Sequence, residues 1–140
     1  MARDGQVTSE ETIRSAVAER YSAIGRNPAA EATIPTGRAW AERLGYPPDL
    51  LDSVPSGALD SFTGIGTPAL CADLSPGERV LDLGCGAGLD TILMARVVGP
   101  QGQVYGVDMA PGMISAARAA VAEASLDNVT LIAAAAEALP

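Results

Sequence analysis

Apolar residues in the first half of the chain recur at helical spacing. The clearest case lies near the N-terminus, where four apolar positions follow one another at intervals of four, four and three residues: Ile13, Val17, Tyr21 and Ile24. This spacing places all four on one buried face of an amphipathic helix. Thr8 and Glu11 form a capping-box pair that predicts the start of the helix, and Gly25 predicts its end.

Only shorter helical segments follow in this part of the chain. Proline and glycine interrupt residues 26–37 and 53–66, which predicts a connector and a loop. Helix start and stop signals predict three short helices, over residues 38–44, 48–52 and 69–74. We therefore expect residues 1–75 to form an N-terminal helical region.

From residue 79 onward the pattern alternates between strand and helix. Short apolar runs predict strands at 80–83, 104–107 and 128–132, and the two stretches between them have helical spacing. Strands alternating with helices are typical of parallel βαβ units, whose ligands bind beyond the carboxyl ends of the strands. The sequence therefore predicts an α/β domain over residues 76–140.

Composition removes several kinds of chemistry. The chain has no histidine, and all nine basic residues are arginine, so it offers no histidine base, histidine metal ligand or lysine Schiff base. The net charge of −8 disfavours tight binding to nucleic acid or to an anionic membrane. The two cysteines, Cys71 and Cys85, do not have metal-ligand spacing, and no metal site is predicted. No apolar run is long enough to span a bilayer, and we expect a cytoplasmic protein.

The strongest chemical signal is a glycine-rich segment at the end of the first predicted strand. It reads Asp82-Leu83-Gly84-Cys85-Gly86-Ala87-Gly88, and Asp108 ends the second predicted strand. Alternate glycines let the backbone turn sharply and approach a ligand. A carboxylate at the end of the second strand can accept hydrogen bonds from both hydroxyls of a ribose. Together these features predict a ligand that contains a nucleoside.

The spacing of the glycines favours one kind of nucleoside ligand. A dinucleotide fingerprint has its third glycine where this chain has Leu89. Asp82 would also repel a pyrophosphate, whereas a carboxylate stabilises a nearby cation. A ribose joined to an amino-acid head and a positive sulfonium fits these constraints, and that ligand is S-adenosylmethionine. A nicotinamide-dependent oxidoreductase is the disfavoured third alternative.

Residues 79–118 resemble the first half of a class I S-adenosylmethionine-dependent methyltransferase. The runs 80–90 and 95–109 are similar in particular to bacterial arsenite methyltransferase-like proteins, and the preceding helices fit the same subfamily. The resemblance implies a Rossmann-like parallel sheet whose three strands have the order 3-2-1. It also implies methyl transfer to a small-molecule acceptor, either arsenite, a thiol or a small metabolite.

The resemblance further implies roles for individual residues. Asp82 would hold the amino group of the cofactor, Asp108 the ribose hydroxyls, and Met109 would pack on the adenine. Gly84, Gly86 and Gly88 would approach the methionine part. The whole predicted cofactor site consists of Asp82, Gly84, Cys85, Gly86, Gly88, Asp90, Asp108 and Met109. No catalytic residue is predicted.

Some positions depart from the family pattern. Arsenite is held by several thiolates in this family, yet Ile65 occupies a position that can be cysteine, and Cys71 is expected to be a buried small hydrophobe. Ala134 and Ala135 replace a glycine and an acidic residue, which weakens the expected adenine contact.

The chain ends where the family continues to a fourth strand, so we expect a truncated, cofactor-binding half of the domain. The edge at residues 80–83 would then be unpaired and could support self-association. The alternative function is a non-catalytic binding or interaction module.

Overall fold

A computed structural model of the chain describes residues 9–30 and 33–139. In these ranges five helices and one 3-10 turn, Pro28–Ala30, precede the first strand. The helices are α1 (Glu10–Arg26), α2 (Gly37–Leu44), α3 (Pro48–Asp52), α4 (Ser56–Asp60) and α5 (Pro68–Cys71). Strands and helices then alternate: β1 (Arg79–Leu83), α6 (Leu89–Val98), β2 (Gln103–Asp108), α7 (Pro111–Glu123) and β3 (Val129–Ala133).

The three strands form one parallel sheet with β2 in the centre. On one face of the sheet, one valine from each strand packs against the buried side of α6: Val80, Val104 and Val129. The register pairs Leu83 with Val107 and Asp108 with Ala133, which brings the carboxyl ends of the strands to one edge. This arrangement confirms the predicted α/β fold and the strand order 3-2-1.

Helix α1 differs from its prediction in its N-terminal cap and in the extent of its buried face. Thr8 lies outside the described residues, and the side chain of Ser9 caps the helix by accepting a hydrogen bond from the Thr12 amide. The predicted buried face is wrong for the first half of the helix, where Ile13 is 52% exposed. Burial begins at Ser22 and Ile24, because only the second half lies against α7.

The segment between α3 and β1 also differs. A short helix, α4, forms inside the predicted loop because Ala58 and Leu59 are buried against the neighbouring helices. Helix α5 is shorter than predicted. Thr67 precedes α5 but its hydroxyl contacts the Cys71 sulfur at 3.6 Å instead of capping the helix.

One hydrophobic core joins the N-terminal helices to the α/β region. Tyr46, Leu51 and Phe62 belong to the same buried cluster as Leu89 and Ile92 of α6. Helix α6 is apolar on nearly all sides because it lies between this cluster and the sheet. The boundary at residue 75 stays a prediction.

Helices α1 and α7 meet through small residues. A Cβ added at Gly25 would lie 2.5 Å from the carbonyl oxygen of Gly112. One added at Gly112 would lie 2.6 Å from the Cα of Ser22. The Gly112 amide donates a hydrogen bond of 3.0 Å to the Ser22 hydroxyl. This close contact fixes α1 beside the carboxyl end of the sheet.

The opposite face of the sheet is open at β1. Leu81 and Leu83 are each 52% exposed. Within the described ranges β1 pairs only with β2, so self-association along β1 stays a prediction, which sedimentation at rising protein concentration would test. None of the helices in those ranges is both long enough and apolar enough to cross a membrane.

Candidate functional site

A cavity of about 590 Å³ opens at the carboxyl ends of β1 and β2. Its floor is the glycine-rich segment with the strand ends, and its walls come from α1, from the segment 61–68 and from the turn 134–137. Seven of the eight predicted cofactor residues line it: Asp82, Gly84, Cys85, Gly86, Asp90, Asp108 and Met109. Gly88 is the exception.

The glycine-rich segment turns back over the end of β2. The Gly84 and Cys85 amides donate hydrogen bonds of 2.7 and 3.0 Å to the Val107 carbonyl. Gly84, Gly86 and Gly88 have φ angles of 74°, 54° and 93°, in the left-handed region that favours glycine. A Cβ at either Gly84 or Gly86 would enter open space, so both present bare backbone to the cavity.

Gly88 has a packing position instead. A Cβ there would lie 3.2 Å from the Cβ of Ala117 on α7, and the residue precedes the first turn of α6. Gly88 is predicted to approach the cofactor, but it is not among the described residues that line the cavity. The close fit between α6 and α7 accounts for glycine at this position.

Asp108 connects the end of β2 to the glycine-rich segment. Its Oδ2 accepts a hydrogen bond of 2.9 Å from the Gly86 amide, and its Oδ1 accepts one of 2.8 Å from the Ala110 amide. Each carboxylate oxygen can accept a second hydrogen bond. The carboxylate is thus fixed in orientation and can still bind two ligand hydroxyls. Met109 follows it in the cavity wall.

Asp82 lies near the end of β1 and faces the same cavity. The Thr91 hydroxyl donates a hydrogen bond of 2.5 Å to its Oδ2. Burial raises the pKa of Asp82, and the neighbouring carboxylates of Asp90 and Asp108 raise it further, against the Thr91 hydrogen bond. An unmatched negative charge in this position favours a cationic ligand.

Relieving that charge should stabilise the ligand-free fold. We expect Asp82→Asn to raise the free energy of unfolding at neutral pH by roughly 0.5–2 kcal/mol, because the amide can still accept the Thr91 hydrogen bond without a buried charge. The buried charge of an acid whose pKa is raised by folding destabilises the folded state. This destabilisation disappears as the pH falls through the raised pKa and the acid becomes protonated. Urea unfolding at neutral and acidic pH should therefore show the advantage shrinking as the pH falls.

The matched control for this experiment is Asp127→Asn, since Asp127 is an exposed aspartate outside the cavity lining. It should change stability by less than about 0.5 kcal/mol at either pH. An Asp82→Asn variant that is less stable than the wild type at neutral pH would contradict the argument.

Asp90 lies in the first turn of α6, where a negative charge favours the helix N-terminus. Gly88 is the N-cap of this helix. The Asp90 Oδ1 accepts hydrogen bonds from the hydroxyl of Tyr46 and, at 3.0 Å, from the amide of Ala69. Burial raises the pKa of Asp90, while these two hydrogen bonds lower it.

Tyr46 holds a residue of the cavity lining, Asp90, and the sequence did not predict this role. Burial raises the pKa of its hydroxyl, as does the hydrogen bond to Asp90, so it remains a protonated donor. Tyr46 is only 2% exposed, and its ring packs edge-on against Phe62 at 5.7 Å between centroids. A tyrosine after a helix-ending glycine is a weak sequence signal, because its hydroxyl partner lies 44 positions further along.

The two cysteines have different environments. Burial raises the pKa of the Cys85 thiol to about 12, and the carboxylates of Asp82 and Asp108 contribute, so the thiol stays protonated at neutral pH. Cys71 is exposed, which makes its predicted burial wrong, and it does not line the cavity. Its position on the last turn of the short helix α5 leaves it at the surface.

The wall formed by segment 61–68 is anchored from behind. Trp40 donates a hydrogen bond of 2.7 Å from its indole nitrogen to the Gly64 carbonyl. A Cβ at Gly64 would lie 2.6 Å from the Phe62 ring, so glycine is required for this close approach. Ile65 follows Gly64, lines the cavity and is 96% exposed.

The opposite wall joins α1 to the turn after β3. Val17 and Tyr21 of α1 line the cavity together with Ala134 and Glu137. Arg14, one turn before Val17, pairs with Glu137 at 2.5 Å. Among the described residues that line the cavity, four are acidic and none is basic.

These features define an α/β domain with a glycine-rich loop and a cavity at the carboxyl ends of parallel strands. Residues 74–140 match the protein family described as a methyltransferase domain. This match agrees with the predicted resemblance of the second half of the chain to the class of S-adenosylmethionine-dependent methyltransferases.

Individual relatives agree with this class. The chain is 52% identical over 94 residues to an arsenite methyltransferase of Halobacterium salinarum, a match that covers 67% of this chain and 24% of the relative. It is 52% identical over 56 residues to the aklanonic acid methyltransferase DauC of a Streptomyces species, covering 40% of this chain and 26% of that protein. The chain thus spans about a quarter of the length of these relatives.

A solved structure is also similar. It is CrArsM, an arsenic(III) S-adenosylmethionine methyltransferase from Chlamydomonas reinhardtii, at 31% identity and a TM-score of 0.44, covering 70% of this chain and 32% of that one.

Proposed function

We propose that the cavity binds S-adenosylmethionine and that the chain contributes this site to methyl transfer onto a small acceptor. One observation carries the proposal. The glycine-rich backbone and the Asp108 carboxylate converge in a cavity whose lining has acidic but no basic side chains in the described part of the chain. The exposed backbone and the acidic side chains suit a ligand in which a ribose is joined to a cationic head.

Each residue has a specific part in this proposal. The Asp108 carboxylate accepts hydrogen bonds from the ribose hydroxyls, and Met109 packs beside the adenine. Gly84 and Gly86 let the ligand lie against backbone, because a side chain at either position would occupy the cavity. Asp82 and Asp90 attract the ammonium group. When bound, the cofactor supplies an electrophilic methyl group on a positive sulfonium.

The charge of the site argues against the nicotinamide alternative. A dinucleotide brings a pyrophosphate, which would face Asp82, Asp90 and Asp108 without a basic partner among the described lining residues. Placing like charges together in a partly buried site is unfavourable. The same charges favour a ligand with two cationic centres.

The acceptor is proposed only as a small molecule: arsenite, a thiol or a small metabolite. Identity to the Halobacterium arsenite methyltransferase supports arsenite. The cysteines oppose it, because Cys85 is a buried thiol with a raised pKa and Cys71 lies outside the cavity lining. Methyl transfer depends mainly on positioning the nucleophile, and no described residue of the cavity is assigned as a base.

Isothermal titration calorimetry with S-adenosylmethionine tests the proposal directly. We expect saturable binding with a dissociation constant between about 1 μM and 1 mM, the range that the Michaelis constants of enzymes usually span. NAD should give no heat under the same conditions. The absence of S-adenosylmethionine binding by the folded chain would refute the proposal. Binding without turnover of arsenite, thiols or small metabolites would favour the non-catalytic module.

A further inference from the structure

Asp90 is the one aspartate of the described cavity lining that is held by hydrogen bonds from the N-terminal helical region. Both of its hydrogen-bond donors, the Tyr46 hydroxyl and the Ala69 amide, reach the same oxygen, Oδ1. No donor among the described residues is assigned to the other oxygen, Oδ2. Two donors on one oxygen fix the plane of the carboxylate and leave Oδ2 as the acceptor for a ligand.

Tyr46 is itself immobilised. Its ring is 2% exposed and belongs to the core shared by the helical region and α6. Phe62 packs against it edge-on, with an angle of 89° between the rings. The hydroxyl therefore has little freedom to leave Asp90. Tyr46 does not line the cavity, but it holds Asp90, which does.

We infer that Tyr46 is a positioning residue for the amino-acid end of the cofactor. It acts through Asp90, whose Oδ2 accepts a hydrogen bond from the ligand ammonium. The inference rests on the proposed binding of S-adenosylmethionine, and it extends the cofactor site into the helical region. Asp108 and Met109 belong to the nucleoside end, so Tyr46 should affect one part of the ligand and not the other.

Three ligands separate the two ends. S-adenosylmethionine and S-adenosylhomocysteine both carry the ammonium group, whereas 5′-methylthioadenosine keeps the nucleoside and lacks it. We expect Tyr46→Phe to weaken the first two by about fivefold, less than the loss of a direct hydrogen bond to a charged group because Tyr46 acts through Asp90, and to leave 5′-methylthioadenosine within about twofold. Calorimetric titration measures all three dissociation constants.

The Tyr46→Phe change keeps the ring in the core and removes only the hydroxyl. Tyr105→Phe is the matched control, because Tyr105 accepts its hydrogen bond from Arg79 outside the cavity lining. It should leave all three ligands unchanged. Asp90→Asn should weaken the two ammonium ligands about tenfold, and adding Tyr46→Phe to it should weaken them little further, because both changes act on the same contact.

The outcomes are distinct. Equal weakening of all three ligands by Tyr46→Phe would show a general structural role and overturn the inference, as would no change in any of them. Additive effects of Tyr46→Phe and Asp90→Asn would also overturn it. Failure of the wild-type chain to bind S-adenosylmethionine would instead refute the proposed function.

Discussion

Asp108→Ala is expected to weaken S-adenosylmethionine binding by about tenfold to a hundredfold. A hydrogen bond to a charged group contributes roughly 1.5–3 kcal/mol, and each 1.4 kcal/mol changes a dissociation constant tenfold. The carboxylate also orders the floor of the cavity, since it accepts hydrogen bonds from the Gly86 and Ala110 amides. Its loss would remove the proposed ribose acceptor and loosen the glycine-rich segment of the cavity floor.

Calorimetry of the purified variant measures this effect, and 5′-methylthioadenosine should lose affinity by a similar factor because it shares the ribose. Asp127→Ala is the control, since it removes an exposed aspartate elsewhere on the surface. Circular dichroism shows whether the variant is folded. Unchanged affinity in a folded Asp108→Ala variant would remove Asp108 from the site.

Gly112→Ala is expected to lower the free energy of unfolding by about 1–3 kcal/mol, the usual cost of overfilling a packed contact. An added Cβ would lie 2.6 Å from the Cα of Ser22, and backbone atoms cannot move aside as a flexible side chain can. The change would push α1 away from α7 and disturb the hydrogen bond from the Gly112 amide to Ser22. Urea unfolding of the two proteins measures the difference.

Gly57→Ala provides the comparison. Gly57 also lies in a helix, α4, but a Cβ there would meet nothing within 4 Å. Alanine has the higher helix propensity, so this variant should be equal to the wild type or slightly more stable. If the two alanine variants had the same stability, the α1 and α7 contact would not be as close as described.

The sequence was sufficient to predict the sheet and the floor of the cavity because both depend on local signals. Alternation of apolar runs with helical stretches specified β1 to β3, and the glycine spacing specified the turn after β1. Asp82 and Asp108 follow from the same pattern, because the carboxyl ends of parallel strands meet at one edge. Their hydrogen bonds to Thr91 and Gly86 agree with that placement.

The walls of the cavity could not be predicted in the same way. Tyr46 and Trp40 act through partners 44 and 24 positions away, and nothing in their local sequence indicates those partners. The face of α1 shows the same limit. Its apolar spacing continues through Ile13, but only tertiary contact decides where burial begins.

The pairing of Arg14 with Glu137 has a consequence for how quickly ligands exchange. Both side chains are about half exposed, and such surface ion pairs contribute no more than about 1 kcal/mol. Dissolved salt screens them further. The two parts of this wall, α1 and the turn after β3, therefore separate at little cost, while the internal hydrogen bonds of Asp82 and Asp108 keep the floor in place. Rising ionic strength should thus accelerate entry and exit of the ligand and leave the shape of the cavity floor nearly unchanged.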